Sequence, residues 1–217
     1  MSILHHPDGA TLMSYAAGSL PEALSAVVAV HMALCQKCAR EARALDGVGA
    51  ALLEAMKPST LLRETPRPPA AETPPVGPSS SRKEPAPAST LPAPLVKLVG
   101  AGSLDQIRWK RLGPGVWHRP LALSPGAKGD LRLIKVAPGR VLPDHGHGGS
   151  ELTLVLEGAY KDKVGTFRSG DLADLDEETE HQPVADAAVG CICLIASTEK
   201  ARFKGVLARL VQPLTGM

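Results

Sequence analysis

The sequence predicts a two-domain protein, with a small helical module first and an all-β barrel or sandwich second. Eleven of the 20 prolines fall within residues 58–94, a composition that favours an extended, semi-rigid linker. Apolar residues recur at helical spacing before this stretch, and they alternate or run over strand lengths after it. We therefore divide the chain into a helical module (1–57), a linker (58–94) and a β domain (95–217).

Length and charge exclude several classes of function. The 217 residues carry a net charge of only +2, so no overall attraction to nucleic acid or to an anionic membrane is expected. No apolar run reaches the roughly 18 residues of a membrane span, and the N-terminus is not a secretory signal. The four cysteines form two close pairs, Cys35/Cys38 and Cys191/Cys193, which indicates functional thiols in a reducing compartment. We expect a cytoplasmic protein.

Three helices are predicted in the first module. Asp8 can cap a first helix that Gly18 ends, and Ser19 with Pro21 starts a second over residues 21–34. A third is expected over residues 36–56. Its apolar side chains recur at helical spacing and should face the core: Ala39, Ala42, Leu45, Val48, Leu52 and Leu53.

The second domain changes to the period of strands. Residues 131–136, 151–157 and 191–195 alternate or run apolar, and glycine-rich turns separate them. Gly158 is expected to end the second of these strands. Many short strands with few helix signals favour an all-β barrel or sandwich.

A first cluster of metal-ligating residue types lies where the second and third helices meet. His31 and Cys35 are four residues apart and therefore share a helix face, and Cys38 follows three residues later. Two thiolates with imidazole suit Zn²⁺, whose structural sites have four ligands; His6 or its neighbour His5 can supply the fourth. A bound ion would also stabilise a core this small. The alternative is a pair of buried cysteines with an incidental histidine.

A second cluster lies in the β domain. His145 and His147 can point the same way from one strand, the glycines after them permit a bend that brings Glu151 beside them, and His181 follows thirty residues later. Three imidazoles and one carboxylate form a set for a divalent metal, with Zn, Fe, Mn, Ni and Cu all open. The alternative is a loop with exposed histidines on a metal-free barrel.

The cysteines of the second pair share one face of a strand, with Ile192 and Leu194 on the other. Cys191 and Cys193 are interpreted as small core residues, with a redox pair near the barrel metal as the alternative.

Both clusters resemble known motifs. The His6…His31-x3-Cys35-x2-Cys38 spacing is similar to the zinc-binding motif of bacterial anti-sigma factors. The pattern Gly139-x5-His145-x-His147-x3-Glu151-x6-Gly158 resembles the first signature of cupins. The second cupin signature keeps Gly170 and His181, but other residues replace its proline, its second glycine and its asparagine: Asp176, Glu178 and Ala185. Together the two modules resemble anti-sigma factors of the ChrR type.

The resemblance implies two metal sites and a regulatory role. It implies that the helical module binds an extracytoplasmic-function sigma factor in a 1:1 complex, and that the cupin senses singlet oxygen or organic peroxides and triggers release. The implied zinc ligands are His6, His31, Cys35 and Cys38; the implied cupin ligands, for Zn²⁺ or for Fe, Mn or Ni, are His145, His147, Glu151 and His181. No catalytic residue, direct nucleic-acid contact or membrane contact is implied.

Two expectations qualify this reading. Such modules usually have a fourth helix after the third, and here only residues 59–64 are available before prolines resume. The long linker fits two domains that work separately. The alternative function is a metal-dependent cupin enzyme, a dioxygenase or isomerase, with the helical module as a docking appendage; its metal would need an open coordination position.

Overall fold

The computed structural model of the chain describes residues 2–57 and 89–203, and it begins with helices. Four α-helices are present in these ranges: α1 (Gly9–Ala16), α2 (Glu22–Leu34), α3 (Gln36–Ala55) and α4 (Ala93–Val99). Within the described residues, no helix combines the length and the apolar character that a bilayer span requires.

The first three helices begin and end where the sequence signals them. The Asp8 side chain accepts a hydrogen bond from the backbone N–H of Thr11 at 2.6 Å, which caps α1. Cys35 alone separates α2 from α3, and its extended backbone turns the chain between them. The three-helix prediction is confirmed to within one residue at each end. The short helix considered over residues 59–64 lies outside the described residues.

The third helix differs from its prediction in what covers it. Ala42 is buried, but the apolar side chains beyond Leu45 are exposed. They are 58–70% exposed and form a stripe that we call the α3 stripe: Val48, Leu52, Leu53 and Met56. The expectation that Val48, Leu52 and Leu53 belong to the core is wrong, because helical spacing defines a face without supplying a partner for it.

The second part of the chain folds into antiparallel sheets that curl around a cavity. One sheet has the order β1-β2-β3-β10-β5-β6, with β7 and β9 also paired to β5; a second has the order β11-β4-β8. The strands are β1 (Lys110–Gly113), β2 (Val116–Pro120), β3 (Asp130–Val136), β4 (His145–Gly146), β5 (Glu151–Lys161), β6 (Thr166–Arg168), β7 (Leu172–Leu175), β8 (Glu180–His181), β9 (Val184–Ala185), β10 (Cys191–Ser197) and β11 (Arg202–Phe203). The hydrogen-bonded ladders of the described residues do not join these sheets into a closed ring.

Gly158 bends β5 instead of ending it. The strand continues to Lys161, and its pairing with β10 shifts register at Leu156, two residues before this glycine. Gly158 has φ of +72°, and a Cβ there would collide with the backbone of Gly190. The strand pairs with β10 and β7 up to Gly158, and with β6 and β9 after it.

The two faces of the central strands β3, β5 and β10 have different neighbours: one face lines the cavity and the other packs on the helices. Their inward side chains, including Ile134 and Cys193, line the cavity. Their outward side chains form one hydrophobic cluster with α2 and α4: Leu131, Leu133, Leu152, Leu154, Leu194 and Ala196, against Leu24, Val27, Val28, Val30 and Leu95. The helices therefore pack directly on the β domain. The expectation that the linker joins two domains that work separately did not include this contact.

Candidate metal centres

The two thiols and two imidazoles predicted to bind zinc lie together where α2 meets α3. One donor atom from each of His6, His31, Cys35 and Cys38 falls within 4.8 Å of the others. Nδ1 of His6 is 3.5 Å from Sγ of Cys35 and 3.4 Å from Sγ of Cys38. Sulfur and nitrogen ligands of one tetrahedral Zn²⁺ lie about 3.5 Å apart. The four residues therefore fit a closed zinc site, which we call the thiol site.

The protonation states at the thiol site fit a cation. Nδ1 of His31 donates to the Gly170 carbonyl at 3.1 Å, so Nε2 keeps its lone pair, and it has no partner among the described residues. Burial lowers the pKa of His31 to about 4, which keeps the ring neutral. Burial, followed by contact with Cys35, raises the pKa of Cys38 to about 12. Without a cation the Cys38 thiol stays protonated, whereas a bound metal ion deprotonates its thiol ligands.

His5 and His6 point to different neighbours. His6 joins the thiol site, while the His5 ring packs on Phe167 of β6, with ring centroids 4.5 Å apart. The sequence allowed either histidine to be the fourth donor. The structure places His6, and not His5, beside the thiols.

The second predicted cluster also comes together, inside the β domain. One donor atom from each of His145, His147, Glu151 and His181 falls within 4.8 Å of the others. β4 and β8 pair directly, with His145 opposite His181, and β5 begins at Glu151. The backbone pairing therefore sets the position of three of the four residues, which together we call the barrel site.

Hydrogen bonds at the barrel site leave nitrogen lone pairs facing one another. His181 donates from Nδ1 to Asp162 at 2.7 Å, and Nδ1 of His147 lies 3.2 Å from a Glu151 carboxylate oxygen. The two Nε2 atoms of His147 and His181 are only 3.3 Å apart. Two nitrogens bound to one tetrahedral ion are separated by about 3.3 Å. Since facing lone pairs repel, a shared cation satisfies this arrangement.

Charge at the barrel site is held in the ligating forms. Burial opposes ionisation of Glu151, but contact with His147 outweighs it, so the pKa of Glu151 is lowered. Burial lowers the pKa of His145, whose Nδ1 donates to the Pro143 carbonyl at 2.9 Å. Glu151 also accepts a hydrogen bond from Thr153 at 3.2 Å. The site therefore presents the neutral ring of His145 and an ionised Glu151, which are the forms that bind a divalent metal.

The barrel site opens onto a cavity of about 390 Å³. The cavity walls include Ile134, Val136 and Ile195, together with Cys191 and Cys193. This volume lies within the range of about 300–1,000 Å³ that small-molecule sites occupy. The two cysteines are buried and unbonded to each other, and both face the cavity, which is compatible with either role considered for them.

Two aspartates near the sites were not predicted. Asp162 holds His181, and Asp171 contacts the chain segment that carries His6. Asp162 begins a turn in which it accepts the N–H groups of Val164 and Gly165, a local pattern that sequence could have shown. Its contact with His181 depends on tertiary structure, and no local signal announces it.

Comparison with known proteins matches both parts of the chain. Residues 100–201 match the family model of the ChrR cupin-like domain. The anti-sigma-E factor ChrR of Cereibacter sphaeroides is 42% identical over 217 residues, which cover 98% of each chain. The crystal structure of Rhodobacter sphaeroides SigE in complex with the anti-sigma ChrR is also similar. It gives a TM-score of 0.71 and 40% identity, and covers 90% of this chain and 99% of that chain.

The identity extends through both modules. One predicted set of metal-binding residues lies in the helical module, and the other lies in the β domain. The chain belongs to the ChrR family of anti-sigma factors, with a helical module followed by a cupin-like domain.

Proposed function

We propose that this protein is a cytoplasmic anti-sigma factor that binds an extracytoplasmic-function sigma factor one to one. Zn²⁺ at the thiol site, held by His6, His31, Cys35 and Cys38, stabilises the helical module. The observation that carries this proposal is the 42% identity to an anti-sigma factor over 98% of both chains. The matched structure is a complex of such a protein with its sigma factor, and the donor set here fits a structural zinc ion.

The α3 stripe supplies a surface for the sigma factor. Val48, Leu52 and Leu53 lie on consecutive turns of α3, Met56 directly follows the helix, and all four are more than half exposed. Contiguous exposed apolar side chains on a helix mark an interaction face, because leaving them in water costs free energy. Because these side chains are exposed in the described part of the chain, a partner can bury them.

We further propose that the barrel site binds a divalent metal through His145, His147, Glu151 and His181, with Zn²⁺ favoured over Fe, Mn or Ni. The neighbouring cavity admits a small molecule to this metal. An oxidative signal, singlet oxygen or an organic peroxide, would act here and loosen the hold on the sigma factor. The direct packing of α2 on β3, β5 and β10 provides the contact through which a change in the barrel reaches the helices.

A metal-dependent enzyme is the second candidate. The open cavity beside a His/Glu metal set is the observation in its favour. Identity to an anti-sigma factor along the whole chain favours the regulatory function.

Co-expression with the extracytoplasmic-function sigma factors of the source organism tests the proposal. The expected result is a one-to-one complex with one of them and inhibition of transcription directed by that factor. Absence of binding and inhibition for every such factor would contradict the proposal, and turnover of a small substrate would favour the enzyme.

Substitution in the α3 stripe tests the binding face. We expect Val48→Lys to weaken sigma binding at least 10-fold, since a charged side chain then has to be buried in the interface. Val189→Lys is the matched control, because Val189 is similarly exposed, at 67%, but belongs to the β domain. Zinc content should be native in both variants. Equal affinities for the two variants would exclude the stripe as the binding face.

A further inference from the structure

One short turn of the β domain contacts His31 of the thiol site directly, and it also contacts the segment that carries His6. The turn lies between β6 and β7; Gly170, Asp171 and Leu172, the last being the first residue of β7, form what we call the 170–172 turn. The carbonyl of Gly170 accepts the Nδ1 hydrogen of His31 at 3.1 Å. The backbone N–H of Leu172 donates to the carbonyl of His5 at 3.2 Å, directly before His6.

Asp171 makes the densest set of these contacts. Its side chain is only 2% exposed, and one carboxylate oxygen accepts the backbone N–H groups of Leu4 at 2.7 Å and His5 at 3.1 Å. The other oxygen accepts the N–H of Arg168 at 2.9 Å. Burial opposes ionisation of Asp171, but these hydrogen bonds outweigh it and lower its pKa, so the group is an anion at neutral pH.

The segment before His6 is also held by packing. Its His5 ring lies on Phe167, and Ile3 covers Gly170, where an added Cβ would lie 2.8 Å from the Ile3 side chain. Gly170 has φ of +92°, a conformation that glycine adopts without strain. His6 precedes α1 and has no helix to fix its backbone. Its position beside the thiols therefore depends on what holds residues 3–5.

We propose that the 170–172 turn is the outer shell of the thiol site, and that Asp171 is the residue that positions the ligand His6. The β domain then completes a site whose four ligands all come from the helical module. This inference rests on the proposed zinc site. Outer partners of metal ligands fix ligand orientation, and their loss typically weakens metal binding about 10–100-fold.

The test is zinc release from the full-length chain into an excess of a chromogenic chelator. Asp171→Asn keeps the shape of the side chain but removes the negative charge and one acceptor oxygen. We expect the thiol site of this variant to lose zinc about 10-fold faster than that of the native chain. Asp174→Asn is the matched control: Asp174 lies on β7, three residues after Asp171, and accepts hydrogen bonds from the N–H of Asp8 at 3.0 Å and from the Thr11 side chain, both beyond His6. Its rate should stay within about twofold of native.

A spectroscopic readout separates positioning from general stability. Co²⁺ bound to thiolates shows a sulfur-to-metal charge-transfer band that the His/Glu ligands of the barrel site cannot produce. In Asp171→Asn this band should change shape or intensity, because the geometry at His6 changes, while in Asp174→Asn it should match the native band. Should Asp171→Asn fail to fold, His5→Ala, which removes the ring packed on Phe167, must still accelerate zinc release.

The outcomes distinguish the two proposals. A native chain that binds no zinc or cobalt through its thiols would overturn the zinc site itself. A native chain that binds both, combined with Asp171→Asn showing the native release rate and the native band, would overturn the role of Asp171. In the non-folding case, a native release rate for His5→Ala would overturn it equally.

Discussion

The thiol site and the barrel site each bring four potential metal ligands together, but they differ in the chemistry of the donors and in their surroundings. The thiol site has two soft sulfur ligands, and its four donors lie beside the core of a small helical module. The barrel site has only nitrogen and oxygen donors and borders a cavity of about 390 Å³. Sulfur-rich sites with four protein ligands are typical of structural zinc, whereas a metal beside a cavity can meet small molecules.

The contrast teaches where stability and responsiveness are located in this fold. Loss of a bound metal ion from the thiol site would lower the free energy of unfolding of the helical module, whose small hydrophobic core provides little stability by itself. Loss of metal from the barrel site leaves the outward leucines of β3, β5 and β10 packed on α2 and α4. The first site should therefore control sigma binding directly, and the second should control it only through the contact between the modules.

The largest effect is expected at the thiol site. Cys38→Ala removes one of the four proposed zinc ligands, and structural zinc contributes on the order of 10 kcal/mol to the folding of small modules. We expect loss of one zinc equivalent per chain and no measurable sigma binding, determined by elemental mass spectrometry and by calorimetric titration.

Cys193→Ala is the control for Cys38→Ala, since it makes the same change at a thiol that is equally buried but faces the barrel cavity. It should retain both metals and native sigma affinity. If Cys38→Ala retained its zinc and bound the sigma factor as tightly as Cys193→Ala does, the structural role of the thiol site would be wrong.

A smaller effect is expected from the outer partner of the barrel site. Asp162→Asn keeps an acceptor for His181 but removes the charge that holds its Nδ1 hydrogen, so the barrel site should bind metal about 10–100-fold more weakly. Competition with a chelator measures this, and the thiol site and sigma affinity should stay native. Asp186→Asn is the control, because Asp186 caps a turn by accepting the N–H groups of Ala188 and Val189 and touches neither site. Equal metal affinities in the two variants would refute the role of Asp162.

The first three helices and most members of the two donor clusters could be predicted because their signals are local. Caps, proline positions and the spacing of His31, Cys35 and Cys38 fix a helix–turn–helix arrangement with three donors on adjacent turns. The packing of helices on the sheet also had an unused signal. Residues 191–196 are apolar throughout, and a strand that is apolar on both faces indicates cover on both.

The remaining features depend on contacts between distant parts of the chain. Asp171 meets Leu4 and His5 only because the N-terminal segment lies along β7, and no spacing in the sequence announces that. The exposure of Val48 and Leu52 could not be predicted either. Apolar residues recur with the same helical period whether the helix face packs in the core or stays exposed to bind a partner.

The central claim is that the thiol site holds the sigma-binding fold while the barrel site does not. Native mass spectrometry of the His181→Ala chain, co-expressed with its sigma factor, tests this most directly. We predict a one-to-one complex that carries the thiol-site zinc and has lost only the barrel metal. Loss of the complex together with the barrel metal would contradict the division of tasks between the two sites.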